Sequence, residues 1–206
     1  MSPHPDSPGA VLKRIERKAP EYFDLLTADS EQAFEQAFNA ILQRAVQNLE
    51  TNADNFEKLN EVGLSAVLAA GVSMPGLTVT PEAHSNGHVD LTIDADHCVP
   101  ARRKLAEAKV YSGYAYHVKG LEQLLGRYTT GRELGGLLLV FVKKRGIAKF
   151  VEELRKEMDA KKPCKQSGPT RDHTLKWSFE STHELATGDP HEVSHVACNL
   201  STSRTP

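Results

Sequence analysis

The sequence predicts an α/β fold, a central mixed β-sheet flanked by helices, on three observations. Residues 29–50 and 147–160 repeat apolar side chains at helical spacing. Residues 77–111 change to a period of two, as half-buried strands do. Residues 136–142 form an unbroken apolar run of strand length, which suits a strand covered on both faces.

Along the chain, Phe34, Phe38, Ile41, Leu42, Ala45 and Leu49 give the first long helix one apolar face, with Asp29 or Ser30 as its N-cap. A second helix is expected over 55–70, carrying Leu59, Val62, Ala66 and Ala69, with Gly71 at its C-terminus. Leu77 and Val79, a polar turn over 81–87 and the alternating residues 88–93 read as a β-hairpin. A charged loop over 94–104 leads to a strand over 105–111, bracketed on exit by Gly113 and Gly120. Leu121, Leu124, Leu125 and Tyr128 then suggest a helix. After the buried strand and the helix at 147–160, residues 161–171 read as a loop by their Pro, Gly and Ser content. Two late strands are expected at 174–181 and 193–200. An N-terminal helical segment (1–54) and a core (55–206) would form a single compact domain overall, since 206 residues leave little room for two.

Twenty-five basic residues against twenty-seven acidic ones give a net charge of -2, so nucleic-acid binding would need a local patch. Three widely spaced cysteines, Cys98, Cys164 and Cys198, argue against a disulfide framework and for a reducing compartment, the cytoplasm. Prolines and charges stand where a secretory signal would be apolar, and no run approaches membrane-spanning length, so neither export nor membrane insertion is expected.

The chemistry concentrates in GHVDLTIDADHCVPARRKLAEAKVYSG. Strand alternation sends Glu107 and Lys109 to one face and Ala106, Ala108 and Val110 to the other. Asp90, on the preceding strand, would sit beside Glu107 if the two strands pair. Two carboxylates with the Ala108 backbone carbonyl between them offer hard oxygen ligands suited to Mg²⁺. Such an ion activates water and steadies a phosphoryl oxygen. Lys109 would hold the attacking water or neutralise charge in the transition state.

Asp90 followed by Glu107-Ala108-Lys109 resembles the D…(D/E)xK signature of the PD-(D/E)xK, restriction-endonuclease-like nuclease superfamily. The resemblance covers about residues 59–143 and implies a restriction-endonuclease-like sheet. It implies a Mg²⁺ or Mn²⁺ ion on the acidic pair and a lysine that assists the water. Members often carry an acid on the first core helix, where Glu61 stands and Glu57 or Glu35 competes. Gln123 in GLEQLLGRY matches a glutamine that faces the metal in many members, although Arg127 replaces the tyrosine that one branch has four residues later. Val89 stands where the motif name has proline. By this resemblance the chain would be an endonuclease cutting DNA rather than RNA, in the manner of effectors of bacterial antiviral defence, switched on by an activating protein partner.

Each reading has a plainer competitor. Asp90, Glu107 and Lys109 could form a surface salt bridge, though the apolar residues between them mark a packed strand. Arg102, Arg103 and Lys104 read as a solvated loop or as contacts to a phosphate backbone, with Tyr111 and Arg127 as further nucleic-acid contacts. Tyr111, Tyr114, Tyr116 and His117 suit packing at a sheet edge better than base stacking, and Lys143, Lys144 and Arg145 suit a solvated strand end. HExxH at residues 191–195 spells a zinc-protease helix, yet no downstream third ligand follows and a terminal strand fits equally well. A homodimer would rest on the amphipathic N-terminal helices and on the need to cut two strands. The competing function is a catalytically silent nuclease-fold module that binds or senses a ligand and acts through a protein partner.

Overall fold

Helical periodicity and capping chemistry set the N-terminal half. The computed structural model describes residues 7–81, 90–95, 97–98 and 101–202. Helices α1 (Pro8–Lys18) and α2 (Pro20–Thr27) precede α3 (Glu31–Thr51), whose N-cap Ser30 side chain accepts from the Ala33 amide. The second predicted helix divides: a 3-10 turn covers Ala53–Phe56, and α4 (Glu61–Val72) starts afresh because Asn60 caps the Gly63 amide. Gly71 is not the C-cap but lies inside α4, where an added Cβ would stand 3.1 Å from the Ala45 Cβ. Its role is to let α3 and α4 approach closely.

Strands β1 (Thr78–Pro81), β2 (Leu91–Ala95) and β3 (Arg102–Val110) follow, then α5 (Tyr114–Gln123), β4 (Gly136–Val142), α6 (Ile147–Lys161), β5 (Gln166–Asp172), β6 (Ser178–Glu184) and β7 (Pro190–Asn199). They form one seven-stranded sheet in the order β1-β2-β3-β4-β7-β6-β5. Strands β3, β4 and β7 run parallel at its centre, and antiparallel strands complete both sides. The fold class is therefore α/β with a mixed sheet, as the sequence predicts. The hairpin turn over 82–87, with His88 and Val89, lies outside the described residues.

Several boundaries differ from the sequence expectation, each for a local reason. Arg102, Arg103 and Lys104 begin β3 and do not form a loop. Helix α5 starts at Tyr114, so Gly120 lies within it. Residues 166–172 form an edge strand despite Gly168 and Pro169, because a register shift between Ser167 and Arg171 absorbs them. Trp177 takes a left-handed conformation (φ 58°), which delays β6 until Ser178.

Helices cover both faces of the sheet. On one, α2, α3 and α4 bring Leu25, Phe34, Phe38, Ile41, Leu64 and Leu68 against Leu91, Ile93, Ala106, Ala108, Leu139 and Phe141. On the other, α5 and α6 bring Leu121, Leu154 and Met158 against Leu105, Leu138, Val140, Phe179 and Val193. The apolar face of α3 is thus buried in the chain's own core, whereas α1 has no buried residue and leaves Val11 and Leu12 exposed. No helix among the described residues is long and apolar enough to cross a membrane.

Every residue of β4 is buried, and Gly136 opens it under Leu124. A Cβ there would meet Leu124 Cδ2 at 2.8 Å and Val193 Cγ2 at 3.4 Å. Gly136→Ala is expected to destabilise by about 1–3 kcal/mol through overpacking. Urea unfolding measures it, and an unchanged midpoint would mean that Leu124 moves aside without strain.

Candidate active site at the open edge of β3

The site exists because β2 is shorter than β3. Their antiparallel register ends at Leu91 opposite Ala106, and one further step sets Asp90 opposite Glu107. Among the described residues, β3 beyond that point has β4 on one side only, so the amides of Ala108 and Val110 lack a ladder partner there. Carboxylates supply it: Asp90 Oδ2 accepts from the Ala108 amide at 2.8 Å, and Glu61 Oε2 accepts from the Val110 amide at 2.8 Å. Glu61 is the first residue of α4, placed there by the Asn60 cap. Of the three acids considered, Glu61 reaches the site; Glu35 instead pairs with Lys104 at 2.6 Å.

Glu107 and Lys109 project together, as alternation requires, into the layer beneath α5. Lys109 Nζ donates to Glu107 Oε1 (2.5 Å), to the Ala108 carbonyl (2.9 Å) and to Glu61 Oε1 (3.4 Å). Both side chains are buried, Glu107 to 2% exposure. Burial pushes the Glu107 carboxyl up to about 7; the Lys109 hydrogen bond opposes this, and the charges of Asp90 and Glu61 add to it. Burial alone would lower Lys109, but its hydrogen bond to Glu107 and the charges of Glu107, Glu61 and Asp90 carry it above the usual lysine range.

One oxygen decides what this arrangement is suited to. Glu107 Oε2 is buried with no hydrogen-bond partner among the described residues, which for a carboxylate is unfavourable unless a cation or a donor faces it. Asp90, Glu107, Glu61 and the Ala108 carbonyl are all hard oxygen donors, so the residues fit a Mg²⁺-like ion. No group of three His, Cys, Asp or Glu side chains among the described residues is arranged to hold an ion as it stands, and the Lys109 ammonium lies between Glu107 and Glu61.

The neighbours sort into those at the site and those elsewhere. Gln123 ends α5, half-buried, and makes no hydrogen bond to the acids among the described residues. A π-turn, Leu124–Tyr128, follows it, of the kind often found beside functional sites. Burial, the charge of Glu107 and that of Asp90 raise the Tyr128 phenol, while Arg127, bonded to it, lowers it. Tyr128 therefore stands close enough to Glu107 and Asp90 to feel their charge, a neighbour that sequence reasoning missed. Lys109 Nζ also lies 5.9 Å from the Tyr116 ring centroid. The Lys109 stem runs against α5 at Gly120, where a Cβ would stand 3.0 Å from Lys109 Cγ.

The other basic candidates face away. Lys104 is buried on Glu35 and above the Phe38 ring. Arg102 is buried on the Ala28 carbonyl, Cys98 Sγ and the Phe34 ring. These contacts commit both heads to the protein interior and away from a phosphate backbone. Arg103 is exposed and bonded to Asp94 at 2.7 Å. The Tyr111 ring packs on Phe150 at 3.6 Å between centroids, which is a core contact.

The HExxH residues lie on β7, a strand and not a helix. Glu192 points outward to Arg171, and His191 and His195 stand about 13 Å apart along the strand, too far to share a zinc ion. His195 belongs to a buried chain that sequence reasoning missed. His183 Nδ1 bonds the Cys164 carbonyl, which only accepts, so that nitrogen carries the proton. Burial holds His183, His195 and His117 below the usual histidine range, His117 at about 3, so all three are neutral. His183 Nε2 must then accept from Ser181 Oγ (2.7 Å), Ser181 from His195 Nε2 (2.6 Å), and His195 Nδ1 from His117 Nε2 (2.9 Å). The chain ties α5 to β6 and β7, and α5 in turn backs Lys109. Comparison with known protein families, with curated proteins and with solved structures found no match to this chain.

Proposed function

We propose that the protein is a Mg²⁺- or Mn²⁺-dependent endonuclease of the restriction-endonuclease-like kind, hydrolysing phosphodiester bonds in DNA rather than RNA. The observation that carries this reading is the unpartnered Glu107 Oε2, buried at an open strand edge among Asp90, Glu61 and the Ala108 carbonyl. A divalent ion, when bound, would supply Lewis acidity toward a phosphoryl oxygen and a water of lowered pKa. Asp90, Glu107 and the Ala108 carbonyl would hold it, with Glu61 as an outer acid.

The chain's own residues account for the remaining steps. Lys109 places a positive charge beside the position where the phosphate becomes more negative in the transition state. Moved off the oxygens of the site, its amino group would stand beside the ion and orient the attacking water. Arg127, exposed next to Tyr128, is a basic side chain that would contact a phosphate backbone. With a net charge of -2 and Arg102 and Lys104 buried, affinity for free DNA would be weak, which supports recruitment by an activating partner, as in defence effectors.

The test is cleavage of supercoiled plasmid, single-stranded DNA and RNA with Mg²⁺, Mn²⁺ or chelator, for wild type, Glu107→Ala and Lys109→Ala. Metal-dependent DNA cutting that falls by at least about a hundredfold in both variants is expected. Failure of wild type to cut any substrate, with no ion-induced rise in thermal stability, would replace this reading by the silent binding module.

A further inference from the structure

We infer that Lys109 is the resident cation of the carboxylate site and must swing out of it before a divalent ion can enter, so that lysine displacement gates ion loading. This rests on the nuclease reading and adds to it a regulatory step.

The geometry makes the two cations competitors. Lys109 Nζ contacts Glu107 Oε1, Glu61 Oε1 and the Ala108 carbonyl, three of the oxygens that a hard ion would use. Ammonium and Mg²⁺ seek the same donors, and two positive centres within about 3 Å of each other repel strongly where water is excluded. The lysine stem has somewhere to go. It packs on α5 in the space that the missing side chain of Gly120 leaves, and the Tyr116 ring lies 5.9 Å from Nζ. An aromatic face is a natural second position for an ammonium. From there the amine would stand beside the ion rather than on its ligands, where a water could be oriented. Anything that draws the ammonium outward, a DNA phosphate above all, would therefore favour ion entry, coupling substrate arrival to loading.

Calorimetric titration with Mn²⁺ of wild type, Lys109→Met and Lys109→Gln tests this without reference to cleavage. Binding at least about tenfold tighter in the folded variants is expected, since the competing charge is gone. Should the variants not fold, reductive methylation of the wild-type protein gives the same answer by mass spectrometry: Lys109 is expected to label faster with saturating Mn²⁺ than without. Equal or weaker binding in the folded variants, or Lys109 labelling that Mn²⁺ leaves unchanged or slows, would overturn the displacement while leaving a metal-dependent nuclease standing. Absence of Mn²⁺ binding to wild type and variants alike would overturn both.

Discussion

Lys109→Met is expected to lose about 3–5 kcal/mol of stability at about pH 8, the cost of leaving a buried carboxylate without its cation. Glu107 has no alternative partner, since its second oxygen is already unpaired and the nearby charges, Asp90 and Glu61, are of like sign. The loss should depend on pH in a defined direction. A carboxyl raised from 4.5 to about 7 contributes stability that is fully present below 4.5 and is lost as pH rises through about 7. Without Lys109 that folded value climbs further, so the variant should recover about 1 kcal/mol of its deficit at about pH 5.5. Combining it with Glu107→Gln should remove the pH dependence. Urea unfolding at the two pH values measures this, and a deficit equal at both would show that packing and not the buried charge is responsible.

A second large effect is acid destabilisation centred on His195. A histidine whose folded value is depressed from 6.5 contributes stability present above 6.5 and lost as pH falls toward its folded value, about 3 for His117. Each such residue steepens the loss by about 1.4 kcal/mol per pH unit. Below about pH 6.5, Glu107 works in the opposite sense with the same slope, so one histidine would be cancelled; His117 and His195 together prevail. Wild-type stability should therefore fall by more than about 1 kcal/mol per unit between about pH 6 and pH 4.5. His117→Phe should flatten that slope by one proton, and a slope unchanged by the substitution would remove His117 from the account. Ser181→Ala, which strips partners from two buried imidazoles at once, should cost about 2–4 kcal/mol even at neutral pH.

The candidate site was legible because it obeys the two simplest rules of a strand. Alternation places Glu107 with Lys109, and strand pairing places Asp90 with Glu107, from sequence spacing alone. Glu61 could be guessed from its position but not chosen over Glu35 or Glu57, because the choice depends on where the Asn60 cap starts a helix. The burial of Arg102 and Lys104 was hidden by their charge. Composition assigns such residues to loops, whereas here Phe34, Phe38 and Glu35 on α3 give each head a partner beneath the sheet. Strand β5 was hidden by Gly168 and Pro169, which an edge tolerates and a central strand does not. The histidine chain links residues up to 78 positions apart, and no local pattern reports a contact of that range.

The short β2 has a consequence beyond chemistry. An uncapped strand end with free amides invites another chain to add itself, the first step of edge-to-edge association. Asp90 and Glu61 occupy those amides with acceptors that no neighbouring backbone can displace without burying two negative charges. The same carboxylates that build the site thus also act as wardens against unwanted pairing, and the protein keeps a gap in its sheet open without leaving it adhesive.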